Sequence, residues 1–359
     1  MGDHGGSMRV AVVGYGYWGS KHVRVLSSMP GVSVTVVDPD PDRLAEARAR
    51  YPGAGLAGEL DDVLDDVDAV VVATPPGSHA SLARQVIDAG RHVLVEKPLT
   101  TSVADVESLV EVAASRGVHL MVGHTFEYNP AVWKLRELIR SGTLGRILYV
   151  DTARLSLGRY QRDVNVVWDL APHDISIVSY LLDEMPSSTA VWAHCNIDSQ
   201  HADVAYVRLG FERSGANAFV HVSWLHPNKV RTVTGWGKMM AVYDDLSDNE
   251  RIRLYDIGVD VQSVDDPSDA HALPVTYRTG DIISPYIPFE EPLLVQDQHF
   301  VDCLRGDAVP RTPGERGLAI VRVLAATDEA IATAPPTAGP GPRGSRPGRP
   351  VAPVPPIAS

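Results

Sequence analysis

Apolar runs and helix-period segments alternate along the first third of the chain. The runs RVAVVG (9–14), VSVTVVD (32–38), AVVVAT (69–74), HVLVEK (92–97) and HLMVGH (119–124) read as strands. The stretches between them, to about Met29, around Asp42–Tyr51, at 79–89 and at 102–116, read as helices. Alternation of this kind predicts a doubly wound parallel sheet. AVVVAT is apolar at nearly every position, as a strand covered on both faces must be. Beyond it the pattern changes: a helix around Ala131–Ser141 leads into ILYVDTARLSL, and another follows near His173–Leu182. The segments TAVWAHCNI, DVAYVRLGF, NAFVHVSWL, VRTVTGWG and KMMAVYDD alternate more nearly in twos and predict a broad, open, mostly antiparallel sheet with one exposed face. Gln296–Arg305 and Gly314–Thr333 read as closing helices, the second amphipathic through Leu318, Val321, Leu324 and Ala325. The expected organisation is α/β: a doubly wound parallel domain over 8–125, an α+β domain over 126–333, and a tail over 334–359. That tail is dominated by Pro, Gly, Ala and Arg, too poor in burial to offset chain entropy, and is expected to stay disordered.

The first strand breaks into Gly14, Gly16 and Gly19, and the second ends at Asp38. Gly14 suits a tight turn, Gly16 lets the backbone approach a pyrophosphate, and Gly19 lets the next helix pack closely on the strand. A helix beginning near Tyr17 would turn its free N–H groups and positive dipole end toward the diphosphate, and Asp38 could accept from ribose hydroxyls. These residues predict a dinucleotide site. Asp38 favours NAD over NADP, since its carboxylate would oppose a 2′-phosphate; Arg43, one helical turn on, is the group that could offset this.

At 359 residues the chain is longer than a single core usually supports, and its 44% hydrophobic content is enough for two. No apolar stretch is long enough to cross a bilayer and the segment MGDHGGSM lacks the features of a secretory signal, so a cytoplasmic protein is expected. Cys195 and Cys303 are too few for a disulfide framework and lack metal-ligand spacing, so no metal site is expected. A net charge of −13 opposes partnership with nucleic acid or an anionic membrane, and an anionic substrate would need local cations.

Two segments carry candidate chemistry. Glu96-Lys97-Pro98 closes a strand at the carboxyl edge of the predicted sheet, where open α/β folds place ligands. Partial desolvation there would bring Lys97 toward the range of a useful acid or base, although a surface lysine at a strand end gives the same sequence. In Asp169-Leu-Ala-Pro-His173, Asp169 and His173 are spaced to share a helical face. Pro172 suits a first turn, which would make Asp169 the N-cap; a capped helix and a proton-carrying pair both fit these residues. Arg159, Tyr160 and Arg162 offer cations and a hydroxyl beside this segment, either solvated or in contact with substrate.

Together, GYGYWG (14–19), ATPPGSHA (73–80), EKPLT (96–100), GHTFEYNPAV (123–132), the D-x-x-x-H of 169–173 and EPLLVQDQHFVDCLRGDAVPRT (291–312) make the chain resemble the Gfo/Idh/MocA family of nicotinamide-dependent sugar and cyclitol dehydrogenases, from Arg9 to about Thr333. The resemblance implies an N-terminal Rossmann domain and a catalytic group of Lys97, Asp169 and His173. It implies cofactor contacts from Gly14, Gly16, Tyr17, Trp18, Gly19, Asp38, Thr74, Pro75, Pro76, His79, Glu96 and Lys97, often with a cis peptide before Pro98. Substrate contacts would come from Lys97, Tyr128, Asn129, Arg159, Tyr160, Arg162, Asn165, Asp169 and His173. Family members commonly place a glycine-rich segment just before the catalytic aspartate, where this chain has Asp163–Trp168. The EPL segment looks most like the branch acting on nucleotide-linked amino sugars. The resemblance thus implies an NAD-linked oxidoreductase acting on a secondary hydroxyl of a sugar or cyclitol, best a nucleotide-linked sugar, in a homodimer or homotetramer. An NAD-dependent glycoside hydrolase of the same family and a non-catalytic dinucleotide sensor are the alternatives.

Overall fold

Residues 7–158, 160, 163–197, 201–261 and 275–333 are described by the computed structural model, so the expectation for the tail lies outside the described residues. The first half runs β1 (Met8–Val13), α1 (Tyr17–Ser27), β2 (Val32–Val37), α2 (Pro41–Arg50), β3 (Gly55–Ala57), β4 (Ala69–Val72), α3 (His79–Asp88), β5 (His92–Val95), α4 (Val103–Arg116) and β6 (Leu120–Val122). Its strands pair in parallel in the order β3-β2-β1-β4-β5-β6. Along β1 and β4, Ala11, Val13, Val70 and Val72 enter one apolar cluster while Val10, Val12, Ala69 and Val71 enter another. That division is the physical content of a continuous apolar run: both pleat directions are buried. The three-residue β3 has no counterpart among the predicted strands because Gly-Leu-Ala is too short to carry a period.

The second half comprises α5 (Pro130–Arg140), β7 (Tyr149–Leu157), α6 (Val166–Leu182), β8 (Ser188–His194), β9 (Val204–Gly210), β10 (Asn217–Ser223), β11 (Leu225–Trp236), β12 (Met240–Asp244), β13 (Ile252–Tyr255), β14 (Gly258–Val261), β15 (Val275–Arg278), β16 (Ile282–Ile283), α7 (Pro292–Arg305) and α8 (Gly314–Thr333). Eight strands form the sheet β16-β13-β12-β11-β7-β10-β9-β8, antiparallel except for β7 beside β10. α6 packs on one face through β7, β9 and β10, whereas the other face exposes Trp192, Tyr206 and Phe219. α7 packs on α1 and α8 on α4 and β6, tying the two sheets together. Among the described residues, no helix is long and apolar enough to cross a membrane.

Two predicted boundaries move. α7 starts at Pro292 instead of Gln296, its proline sitting at the first helical position, where a missing N–H costs nothing. α6 starts at Val166, not near Asp169. Asn165 is its N-cap, accepting from the N–H groups of Val167 at 3.0 Å and Trp168 at 3.2 Å. Asp169 therefore lies in the first turn and Pro172 inside the helix. Asparagine caps as well as aspartate does. The bond that Pro172 cannot give to the Trp168 carbonyl is tolerated in a helix buried along most of its length.

Candidate active site

The glycine turn is built as its spacing requires. Gly14 has a φ of +89°, and a Cβ on it would stand 2.9 Å from Cγ2 of Thr74. A Cβ on Gly19 would run into the carbonyl oxygen of Gly14. Gly16 is different: no protein atom lies within 4 Å of its Cβ position, and the residue lines a cavity of about 550 Å³ shared with Gly14, Trp18, Asp38, Thr74 and Pro75. Gly16 is also the N-cap of α1 and brings no side chain to the free N–H groups of the first turn. Such an end suits an anion. A bare backbone, a free helix N-terminus and an adjoining carboxylate fit a dinucleotide diphosphate and its ribose. Asp38 is 2% exposed; Oδ2 accepts from the Tyr15 N–H at 2.7 Å and Oδ1 from the Asp40 N–H at 2.9 Å. Arg43 Nη1 reaches Oδ2 at 3.4 Å.

A second cavity, of about 330 Å³, lies at the end of β5, lined by Trp18, Thr74, Pro75, Pro76, Glu96, Lys97 and Asp169 among others. The Lys97–Pro98 peptide is cis. Lys97 Nζ donates to the Asp169 carbonyl at 2.8 Å and lies 3.8 Å from its carboxylate Oδ1, while Trp224 Nε1 donates to Oδ2 at 2.9 Å. Burial pushes the Lys97 ammonium below its ordinary range, with Arg154 adding to the effect and Asp169 and Glu96 opposing it.

His173, one turn beyond Asp169, lines a third cavity of about 380 Å³. Burial holds it well below the ordinary imidazole range, and the charges of Lys97 and Arg154 act in the same direction. Its Nδ1 is buried without a hydrogen-bond partner, and its ring packs edge-on to Phe126. Trp18 borders all three cavities. The exposed Tyr17 borders the glycine-turn cavity and that of His173.

Several of the residues expected to contact cofactor or substrate also have partners within the fold. His79 bridges the carbonyls of Thr74 and Pro98 at 2.8 Å each, so both ring nitrogens hold loops together. Tyr128 is buried, with its hydroxyl 3.0 Å from that of Thr312, and is absent from the linings of the Lys97 and His173 cavities. Asn129 lines the His173 cavity, but its Oδ1 caps α5 and its Nδ2 donates to the Tyr243 hydroxyl. Tyr160 packs at a tilt against Trp224 and donates to the His201 carbonyl, and Asn165 spends its amide on the α6 cap and on Asp328. Arg159 and Arg162 lie outside the described residues.

Sequence reasoning missed the groups that support this site from behind. His22 on α1 places Nε2 3.2 Å from Glu96 Oε1 and Nδ1 2.9 Å from Asp297 Oδ2, all three groups being buried. Burial alone would push His22 down; the two carboxylates overcome this and hold it at about 10. The available signal was a histidine in the helix that follows the glycine turn.

Comparison with known proteins places both halves of the chain in one family. Residues 8–124 match the profile of an oxidoreductase family with an NAD-binding Rossmann fold, and residues 132–238 match the GFO/IDH/MocA C-terminal domain. A 4-carboxy-2-hydroxymuconate-6-semialdehyde dehydrogenase from Sphingobium sp. is 26% identical over 88% of this chain and 96% of its own. An inositol 2-dehydrogenase from Rhodococcus erythropolis is 35% identical over 51% of this chain and 55% of its own. The crystal structure of GenD2 from gentamicin A biosynthesis, in complex with NAD, superposes with a TM-score of 0.76 at 26% identity, covering 91% of this chain and 95% of that one. With both halves matched in order, the chain belongs to the Gfo/Idh/MocA oxidoreductase family.

Proposed function

We propose that this oxidoreductase interconverts a secondary hydroxyl and a ketone on a sugar or cyclitol, with NAD as redox partner and a nucleotide-linked sugar as the favoured substrate form. The observation that carries the reading is the placement of Lys97 against Asp169 in a cavity that shares Trp18 as a wall residue with both the glycine-turn cavity and the His173 cavity. When bound, the nicotinamide supplies the acceptor for the hydride of the alcohol carbon. Lys97 and His173 supply proton acceptors, and Asp169, fixed by Trp224, orients the Lys97 amine. The likeness of the EPL segment to the nucleotide-sugar branch supports the favoured form.

The test is a panel of nucleotide sugars, free sugars and inositols incubated with NAD or NADP. Reduced cofactor should accumulate in step with product; release of an aglycone without accumulation would instead identify the hydrolase of the same family. NAD should bind more tightly than NADP in calorimetry, because the Asp38 carboxylate would repel a 2′-phosphate and Arg43 is already turned toward that carboxylate. Equal or tighter NADP binding would sink the preference.

The open sheet face supports a homodimer or homotetramer. Trp192 and Tyr206 pack at a tilt, 5.8 Å between ring centres, on it and Tyr149 meets Phe219 at 6.4 Å, an apolar surface suited to a second copy. Sedimentation should give a dimer or larger, and Trp192→Glu with Phe219→Glu should shift it toward monomer; a wild-type monomer would refute the assembly.

A further inference from the structure

The chain is acidic, with a net charge of −13. The cavity beside His173 is lined nevertheless by Lys21, Arg154, Lys229, Arg231 and Arg251, against Asp245 and Glu291. Arg154 and Arg231 stand directly opposite one another on β7 and β11, so both project from the same face of the sheet. Like charges so placed repel unless something compensates them.

For Arg154 the compensation is complete: Asp174, also buried, accepts from its Nε at 2.7 Å and its Nη2 at 3.3 Å. Arg231 gives Nη1 alone to Asp245, at 3.2 Å, and the same carboxylate also accepts from the Tyr243 hydroxyl at 2.7 Å. Arg251 lies over the Phe289 ring and within 3.6 Å of the exposed Asp248. Glu291 is turned to Arg24, at 2.5 Å. Lys21 and Lys229 have no acidic partner among the described residues; Lys21 stands over the Tyr17 ring and Lys229 is exposed. The cavity therefore holds more positive charge than its own carboxylates offset, next to the histidine that faces it.

We propose that this cavity is an oxyanion subsite, in which Lys229, Arg231 and Lys21 hold a carboxylate or phosphate group borne by the substrate whose hydroxyl is oxidised. The remaining guanidinium nitrogens of Arg231 provide a planar set of donors matched to such a group, and the lysines provide charge. On an acidic molecule, a local positive site is also what draws an anion in. The role in substrate binding rests on the dehydrogenase reading; anion binding itself does not.

Calorimetry on the NAD-saturated protein at low salt, with D-glucuronate, UDP-glucose and uncharged D-glucose as probes, decides it. At least one charged probe should bind about tenfold or more tightly than glucose, and the advantage should shrink as salt is added. Preference for glucuronate places the charge on the sugar itself, whereas preference for UDP-glucose places it on a diphosphate. Arg231→Gln should remove about tenfold of the affinity for the charged probe. Lys229→Glu, at an exposed position with no partner to lose, should weaken it similarly without changing the affinity for NAD. The proposal is overturned if neither charged probe binds better than glucose, or if both variants bind the charged probe as the wild type does. Failure of the dehydrogenase reading looks different: the charged probe binds and the variants lose it, yet no sugar of the panel reduces the cofactor.

Discussion

Lys97→Met and His173→Ala should each lower kcat by about 10²–10⁴-fold, the range typical of a general acid–base group, while the affinity for NAD changes little. The separation follows from the architecture. Neither side chain lines the glycine-turn cavity, whose lining includes Gly14, Gly16, Asp38 and Thr74. Lys97 works as a proton acceptor only when neutral, so turnover in the direction of alcohol oxidation should fall as pH drops through its depressed pKa. His173 is held well below the ordinary imidazole range and adds no second limb near neutral pH. The acid limb should therefore disappear in Lys97→Met and survive, at reduced amplitude, in His173→Ala. If the two groups share one proton, the double variant should be only slightly worse than the worse single one, since residues acting as a unit are not additive. Near-wild-type turnover in both single variants, at saturating cofactor and on the true substrate, would remove the proton-transfer roles and restore the sensor reading.

What was legible in the sequence is what local pattern specifies. The strand, the three glycines and the acid ending the next strand are close enough in the chain for their spacing to encode a geometry, and the structure reproduces the turn at Gly14 and the close packing at Gly19. The last helix spans Gly314–Thr333, as its apolar stripe required. The polar residues near the site read less well, because a ligand contact and a helix cap draw on the same atoms. Asn129 and Asn165 both became caps, and no local pattern separates that use from a substrate contact. Tyr128 and Tyr160 found hydroxyl partners 184 and 41 residues away, respectively. Arg154 and Arg231 come together beside His173 because β7 and β11 pair in one register, and that register follows from the tertiary sheet.

His22→Ala should be among the most destabilising single substitutions outside the apolar core, costing about 3–5 kcal/mol, the usual range when one partner of a buried ion pair is removed. The imidazolium sits between Glu96 and Asp297 and donates from both ring nitrogens, joining α1, the end of β5 and α7. Without it, two carboxylates that are 4% and 1% exposed would face each other with no cation between them. The sign of the pH dependence is fixed by the shift. His22 is raised from 6.5 to about 10 on folding, so its contribution is fully present below pH ~6.5 and is lost as pH rises through 10. Wild type and variant should thus differ most near pH 6, by a fall in Tm on the order of 10 °C, and converge on the alkaline side. His22→Gln keeps a donor without the charge and should recover only part of the loss. Adding Asp297→Asn to His22→Gln removes one of the stranded carboxylates, so the double variant should be more stable than the sum of the two single losses. A Tm unchanged at pH 6, or a difference that persists undiminished at pH 10, would rule out a charged bridge. Because Glu96 Oε2 also accepts from the Lys97 N–H at 3.1 Å, the same variants should lower kcat more than they raise KM. A loss confined to stability would leave the bridge a staple of the fold, without influence on how Lys97 is held.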